Sequence, residues 1–314
     1  MHIVLPGALP GPDAARALLS HLEKTAPTFV GWLAAGSART QSVDPAKSGC
    51  TAIEQWQLEK AGFTPDANQN LSAGLGPLWS ENHEIDPQEP VWLAELVHMA
   101  PTQSSAALLT SDDLNITREQ SVALFDSAHS LFEGTGFQLH PDGVARWRVI
   151  PPPGFTFNSS SPSLVSTASV NDWWPQDASI RPWRRLFNEI QMLWFDSPVN
   201  VSRHRQGERP INGLWLFGGA RPSQLRMSPT TDDTLSHDAL LGPFLAQDWG
   251  AWLATLSQLE TQVFKPMARH GQAPVLVLTG RNSIVTLTPR PFARLSKWMG
   301  RGRNSWSKWW LSQN

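Results

Sequence analysis

The chain has 314 residues, 40% of them apolar and 17% charged, which suits one large domain or two modest ones and argues against disorder. Cys50 is the only cysteine, so a disulfide framework is excluded, and no apolar run approaches the ~18 residues of a membrane-spanning helix. The formal net charge of −2 conceals an asymmetry: residues 1–260 carry −11 and the last 54 carry +9, because no acidic residue follows Glu260.

In chain order, residues 2–6 read as a short buried strand, stopped by Gly7 and Pro10. The opening Met1–Gly7 has no basic region and too short an apolar run for a signal peptide, so a cytoplasmic location is expected. Ala14, Leu18, Leu19 and Leu22 recur at helical spacing, and Thr51–Lys60 reads as a second helix ended by Gly62. Residues 71–90, rich in Gly, Pro and Asn, predict a connection. Val91–Met99 and Ala106–Leu109 read as strands. Thr117-Arg118-Glu119-Gln120 is a capping box opening a helix with Val122, Leu124, Phe125 and Leu131 on its apolar side. Ala145–Ile150 is strand-like, and the Ser-rich stretch Asn158–Ser169 has the composition of a linker.

Farther on, Ile180–Phe195 is amphipathic, with Leu186, Ile190, Leu193 and Trp194 on one stripe. Leu214–Phe217 reads as a buried strand running into Gly218-Gly219. Ser236–Ala268 is helical in period, broken near Pro243 and Gly250. Pro274–Leu278 is another buried strand, with Ile284–Leu287 beside it. Apolar strands alternating with helices imply an α/β sheet.

Most chemistry signatures are missing, including the phosphate-binding loops, the paired-histidine zinc motif and the serine elbow. Asp232, Asp233, His237 and Asp238 form the one dense group of hard-metal ligand types, and a solvated acidic loop is the preferred explanation for them, since such clusters are ordinary surface features. Arg181, Arg184, Arg185, Arg203, Arg205 and Arg209 crowd one segment. Arginine suits bidentate phosphate or carboxylate recognition, against the plain alternative of surface solvation. Beyond Pro289, four tryptophans (298, 306, 309, 310) alternate with Arg290, Arg294, Lys297, Arg301, Arg303 and Lys308. Such a tail can fold onto the chain's own acidic body, or meet anionic lipid or nucleic acid. Trp306, Trp309 and Trp310 share one helical face, and docking on the core is the expectation.

The run Ser197-Pro198-Val199-Asn200-Val201-Ser202-Arg203, then Gly207, then Pro210 to Gly219, resembles a signature of archaeal-type cofactor-independent phosphoglycerate mutases. Ser197 stands where that signature has a His. Over the whole chain the closer resemblance is to RpfE-type bacterial regulatory proteins, through Met1–Leu9, Gly49-Cys50-Thr51, Glu95-Leu96-Val97-His98, Asp172-Trp173-Trp174-Pro175 and Asn188-Glu189-Ile190-Gln191-Met192. The resemblance implies an alkaline-phosphatase-like α/β sheet core flanked by helices, at residues 1–89 and 165–314. A smaller mutase-type α+β insert at 90–164 would interrupt it, and 289–314 would form the basic tail.

It also implies a two-metal phosphoryl-transfer ancestry, from which this chain departs. Leu5-Pro6-Gly7-Ala8 lacks the first-strand Asp, Cys50 replaces the nucleophilic serine without an acidic neighbour, and Thr279-Gly280-Arg281-Asn282 lacks the Asp-His pair. The resulting expectation is a non-catalytic regulatory protein with no metal and no cofactor. It would retain a site for a phosphorylated or carboxylated small molecule at Asn200, Arg203, Asn212, Gly218 and Gly219, and it would have a protein partner not identified by sequence. The competing expectation is an enzyme of altered chemistry using Cys50 as nucleophile, which needs a partly exposed, electropositive thiol.

Overall fold

The computed structural model describes residues 1–82, 84–102, 105–174, 178–226, 234–269, 271, 273–290 and 305–311. Among these, ten strands form: β1 (His2–Leu5), β2 (Gly36–Ser42), β3 (Val91–Pro101), β4 (Ala106–Leu109), β5 (Gln138–Pro141), β6 (Arg146–Ile150), β7 (Gly213–Ala220), β8 (Thr234–Ser236), β9 (Val275–Thr279) and β10 (Ser283–Pro289). The fold is mixed α/β, with two sheets flanked by helices. Contacts divide the chain into two compact units, one of residues 1–44 with 229–314 and one of residues 45–228.

In the first unit the strand order is β2-β10-β9-β1-β8. β1 lies parallel to both β9 and β8, and β10 runs antiparallel to β9 and β2. Ile3, Val4 and Leu5 face Leu276, Val277 and Leu278 across the parallel pair, all fully or almost fully buried. Strands covered on both faces need apolar residues at every position, which is why they read as unbroken runs. Helices Pro12–Thr25, Pro27–Ala35 and Trp249–Leu259 close the core through Leu18, Leu22, Phe29, Leu33, Trp252 and Leu256.

Pro27–Ala35 has no side-chain cap on its own chain start. The buried Glu260 carboxylate supplies one from a distance, accepting from the Thr28 and Phe29 N–H groups at 3.0 and 3.2 Å. Those orphan donors and the positive helix end favour a carboxylate there. The tail's Ser305–Leu311 forms a helix whose Trp306 and Trp310 are buried in this same core, Trp310 edge-on to Phe29. The expected docking holds for this segment. Arg294, Lys297, Trp298, Arg301 and Arg303 lie outside the described residues.

The second unit is built on β4-β3-β6-β5, with β7 also paired along β3 from Val91↔Ala220 to Val97↔Gly213. The Arg181–Phe195 helix covers this sheet with Trp183, Leu186, Ile190 and Trp194. The division falls at 44/45 and 228/229. The β3–β7 ladder joins residues within the expected insert of 90–164 to residues beyond it in one sheet.

Three local expectations are corrected. Asn158–Ser169 is no linker: Ser159 and Ser161 are buried, and Ser161 caps the helix Pro162–Ser166. Residues 71–90 contain a 3-10 turn and the helix Leu75–Trp79. Val122 and Leu193 are 53% and 41% exposed, so the apolar stripes run through Leu124 and Ala128, and through Trp183 and Phe187, instead.

Candidate functional site

Gly49 precedes Cys50 with φ +67°, and a Cβ there would stand 2.4 Å from the Ser159 carbonyl oxygen. The turn is thus pressed against the Ser-rich segment. Cys50 is fully buried, and its N–H donates to Ser48 Oγ at 3.2 Å. Burial, and then the negative charge of Glu54, push its thiol well above the usual range. Glu54 is itself raised by burial, against hydrogen bonds from Ser161 Oγ (2.6 Å) and the Thr51 N–H (2.7 Å). A nucleophilic thiolate needs access and a positive neighbour. Cys50 is instead a core side chain beside a carboxylate, a setting that does not favour the expected reactive thiol.

The mutase-like signature forms the helix Pro198–Arg205, a loop, and β7. Ser197 caps that helix by accepting from the Asn200 N–H. Asn200 Nδ2 donates to the Trp194 and Ile211 carbonyls at 2.8 and 2.7 Å, while its Oδ1 accepts from the Ile211 N–H at 2.8 Å. Arg203, 1% exposed, donates from Nε to Arg209 O, from Nη1 to Gln120 Oε1 and from Nη2 to Leu114 O, at 2.7, 2.7 and 2.6 Å. Glu208 pairs with it at 3.2 Å. Asn212 continues the β3–β7 ladder with its side chain, accepting from the Met99 N–H and donating to the Met99 carbonyl.

Gly218 and Gly219 adopt φ +102° and +106°. A Cβ on the first would meet Val91 O at 2.6 Å, and one on the second Trp92 Cζ2 at 2.4 Å. Asn200, Arg203 and Asn212 thus spend their side-chain donors on groups of the second unit itself, an arrangement that brackets the sheet.

In the first unit, Pro6-Gly7, Ser236-His237-Asp238 and Thr279-Gly280 follow the carboxyl ends of the three parallel strands, where α/β ligands commonly bind. Gly7 has φ +74°, and a Cβ on it would lie 2.9 Å from Leu241 Cα and Phe244 Cβ. Its carbonyl accepts from Trp252 Nε1 at 2.9 Å. A carboxylate-bearing residue has no room there. The His237 N–H donates to Val4 O, and Ser236 Oγ to Asp238 Oδ1. Among the described residues no group of three or more His, Cys, Asp or Glu is placed to hold a metal ion. Asp232 and Asp233 lie outside the described residues. The residues described do not fit a two-metal centre.

An open site lies elsewhere in the second unit. A cleft of about 630 Å³ runs beside the Arg181–Phe195 helix, walled by Arg181, Arg184 and Arg185 and floored by Met99, Trp174 and Phe187. Trp174 is fixed by edge contacts with Phe187 and Trp215 at 5.0 and 5.2 Å. Arg185 Nε pairs with Glu189 at 2.9 Å, one turn on. Asp172–Pro175 and Asn188–Met192, quoted above for the regulatory-protein resemblance, each contribute residues to this cleft. Its arginines were visible in the sequence. Its floor was not, because Met99, Trp174 and Phe187 come from three separate elements.

Comparison with known proteins gives only distant similarity. No family model matches the sequence, and no curated protein matches it. Among solved structures the chain is similar to a cofactor-independent phosphoglycerate mutase from Thermoplasma acidophilum, at 13% identity over 91% of this chain and 89% of that one, with a TM-score of 0.36. It is similar also to a protein from Pyrococcus horikoshii, at 12% identity over 92% of this chain and 86% of that one, with a TM-score of 0.46.

Proposed function

We propose that this chain is a non-catalytic binding or regulatory protein on a phosphoglycerate-mutase-like, alkaline-phosphatase-like fold. The observation that carries the reading is the fate of the turn at Cys50. The position that the resemblance would give to a nucleophile is sealed in the core beside a buried carboxylate. The inward-turned Arg203 and Asn200, and the packing of Leu241 and Phe244 over Gly7, support the same reading. Phosphoryl transfer needs charge aimed at the reacting oxygens, whereas these groups are committed to backbone carbonyls and apolar neighbours.

The test is interconversion of 2- and 3-phosphoglycerate by purified protein with added Mn²⁺ or Mg²⁺. The expected rate is that of a no-protein control. Turnover proportional to protein concentration and abolished by His237→Ala would contradict the proposal.

A further inference from the structure

The Arg181–Phe195 helix is apolar on its inner face and carries a second pattern on its outer one. Arg181, Arg185, Asn188, Met192 and Phe195 follow one another at steps of four, three, four and three, which places them on one stripe. Met192 and Phe195 are 78% and 79% exposed, the largest values among the exposed large hydrophobic side chains of the described residues. Leu193 at 41%, and Val201 on the following helix at 40%, widen this apolar end. The stripe is thus basic at its start and apolar at its finish, with the cleft alongside. It spans about 21 Å, the rise of fourteen helical residues.

The inner face is held by Trp183, Leu186, Ile190 and Trp194 in the core, so the outer face is presented by a rigid element. Exposed apolar patches beside polar groups mark interaction surfaces. Charge identifies the occupant. Residues 45–228 hold 19 acidic and 13 basic residues, a net −6, yet three of those basic residues fall within five positions here. Arg185 is paired with Glu189, while Arg181 and Arg184 have no ion-pair partner among the described residues.

A nucleic acid or an anionic membrane would experience the negative field of the whole unit along with the three arginines. A segment with one or two carboxylates at one end meets only the local positive cluster. A small phosphorylated metabolite could reach Arg181 and Arg184 but would leave Met192 and Phe195 uncovered. We propose that this face docks an acidic amphipathic segment of a partner protein, its carboxylates on Arg181 and Arg184 and its apolar side chains on Met192 and Phe195. The proposal deepens the binding reading above by naming the partner's chemistry.

The probe is a fluorescein-labelled peptide of about fourteen residues, helix-forming, with glutamates in its first turn and Leu and Phe on one face after it. A second peptide has lysines in place of the glutamates. With the full-length chain, the glutamate peptide is expected to give saturable anisotropy and the lysine peptide to bind at least about ten-fold more weakly, the equivalent of one broken charge-assisted contact. Arg181→Glu with Arg184→Glu, and separately Phe195→Asp, should each reduce the affinity by about ten-fold or more, and Arg118→Glu should leave it unchanged. Far-UV circular dichroism and urea midpoints matching the parent would show that the variants fold.

Equal binding of both peptides, or of neither, overturns the proposal. So does direct binding of 3-phosphoglycerate, single-stranded DNA or phosphatidylserine vesicles that is at least as tight as that of the glutamate peptide and is lost in the double arginine variant, since the face would then serve that anion. Mutase turnover with intact peptide binding would defeat only the non-catalytic reading, and absence of both would defeat only this one.

Discussion

Arg203 separates a structural from a ligand-binding reading of the signature most directly. Arg203→Ala removes three hydrogen bonds of 2.6–2.7 Å and the pair with Glu208 from a side chain that is 1% exposed. Left behind are the carbonyls of Leu114 and Arg209, and Gln120 Oε1, which also accepts from Thr117 in the capping box of the Arg118–His129 helix. An orphaned buried acceptor costs about 1–3 kcal/mol, while Glu208, 33% exposed, keeps part of its hydration and adds at most about 1 kcal/mol. With Gln120 Oε1 keeping its Thr117 contact, a total of about 2–4 kcal/mol is expected, a large share of the ~5–15 kcal/mol that holds a native domain. Arg203→Lys keeps the charge but replaces a planar fork by one ammonium, and its loss should be intermediate. Urea unfolding followed by tryptophan fluorescence reads both variants. If Arg203→Ala unfolds within ~0.5 kcal/mol of the parent, as changes away from structural networks do, while binding of phosphate or a phosphorylated acid is lost, the structural reading is refuted.

Two further outcomes follow from packing and charge. Trp310→Ala should cost about 3–5 kcal/mol, as for other buried large-to-small changes, and deletion of residues 305–314 should lower the melting temperature and raise binding of an apolar dye. A truncated chain that melts like the full-length one but loses liposome or DNA binding would make the tail a partner-binding arm. Glu54, whose folded-state carboxyl is raised above its unfolded value by burial, favours the folded state below the unfolded value and loses that contribution as pH rises through the folded one. Glu54→Gln should therefore gain stability relative to the parent in urea titrations as pH rises above the ordinary carboxyl range. A difference that is flat or falls with pH would show that Glu54 is not held above its ordinary range.

What the sequence disclosed, and what it withheld, follows the range of the interactions involved. β1 and β9 were readable because parallel strands buried on both faces leave continuous apolar runs. The Thr117 cap and the Trp306–Trp310 face were readable because their partners lie within four residues. β2, with the sequence Gly-Ser-Ala-Arg-Thr-Gln-Ser, had no apolar alternation to reveal it, as its place depends on β10. The compact units depend on β3 pairing with β7 more than a hundred positions away, which no local pattern records. The inward turn of Arg203 and Asn200 was hidden for a related reason. Arginine and asparagine have the same donors whether they face an anion or a carbonyl, and only burial decides which. Ser159 and Ser161 carry the composition of a linker because hydroxyls suit water, yet here they suit Gly218 and Glu54 equally well.

The claim that the turn at residues 48–51 no longer presents a nucleophile is open to one direct measurement, the rate of Cys50 alkylation by iodoacetamide at neutral pH. With the thiol fully buried and held well above its usual range, native protein should be modified only as fast as it unfolds, and stoichiometrically once urea is added. Rapid, complete alkylation of folded protein, with far-UV circular dichroism and tryptophan fluorescence unchanged, would contradict the account.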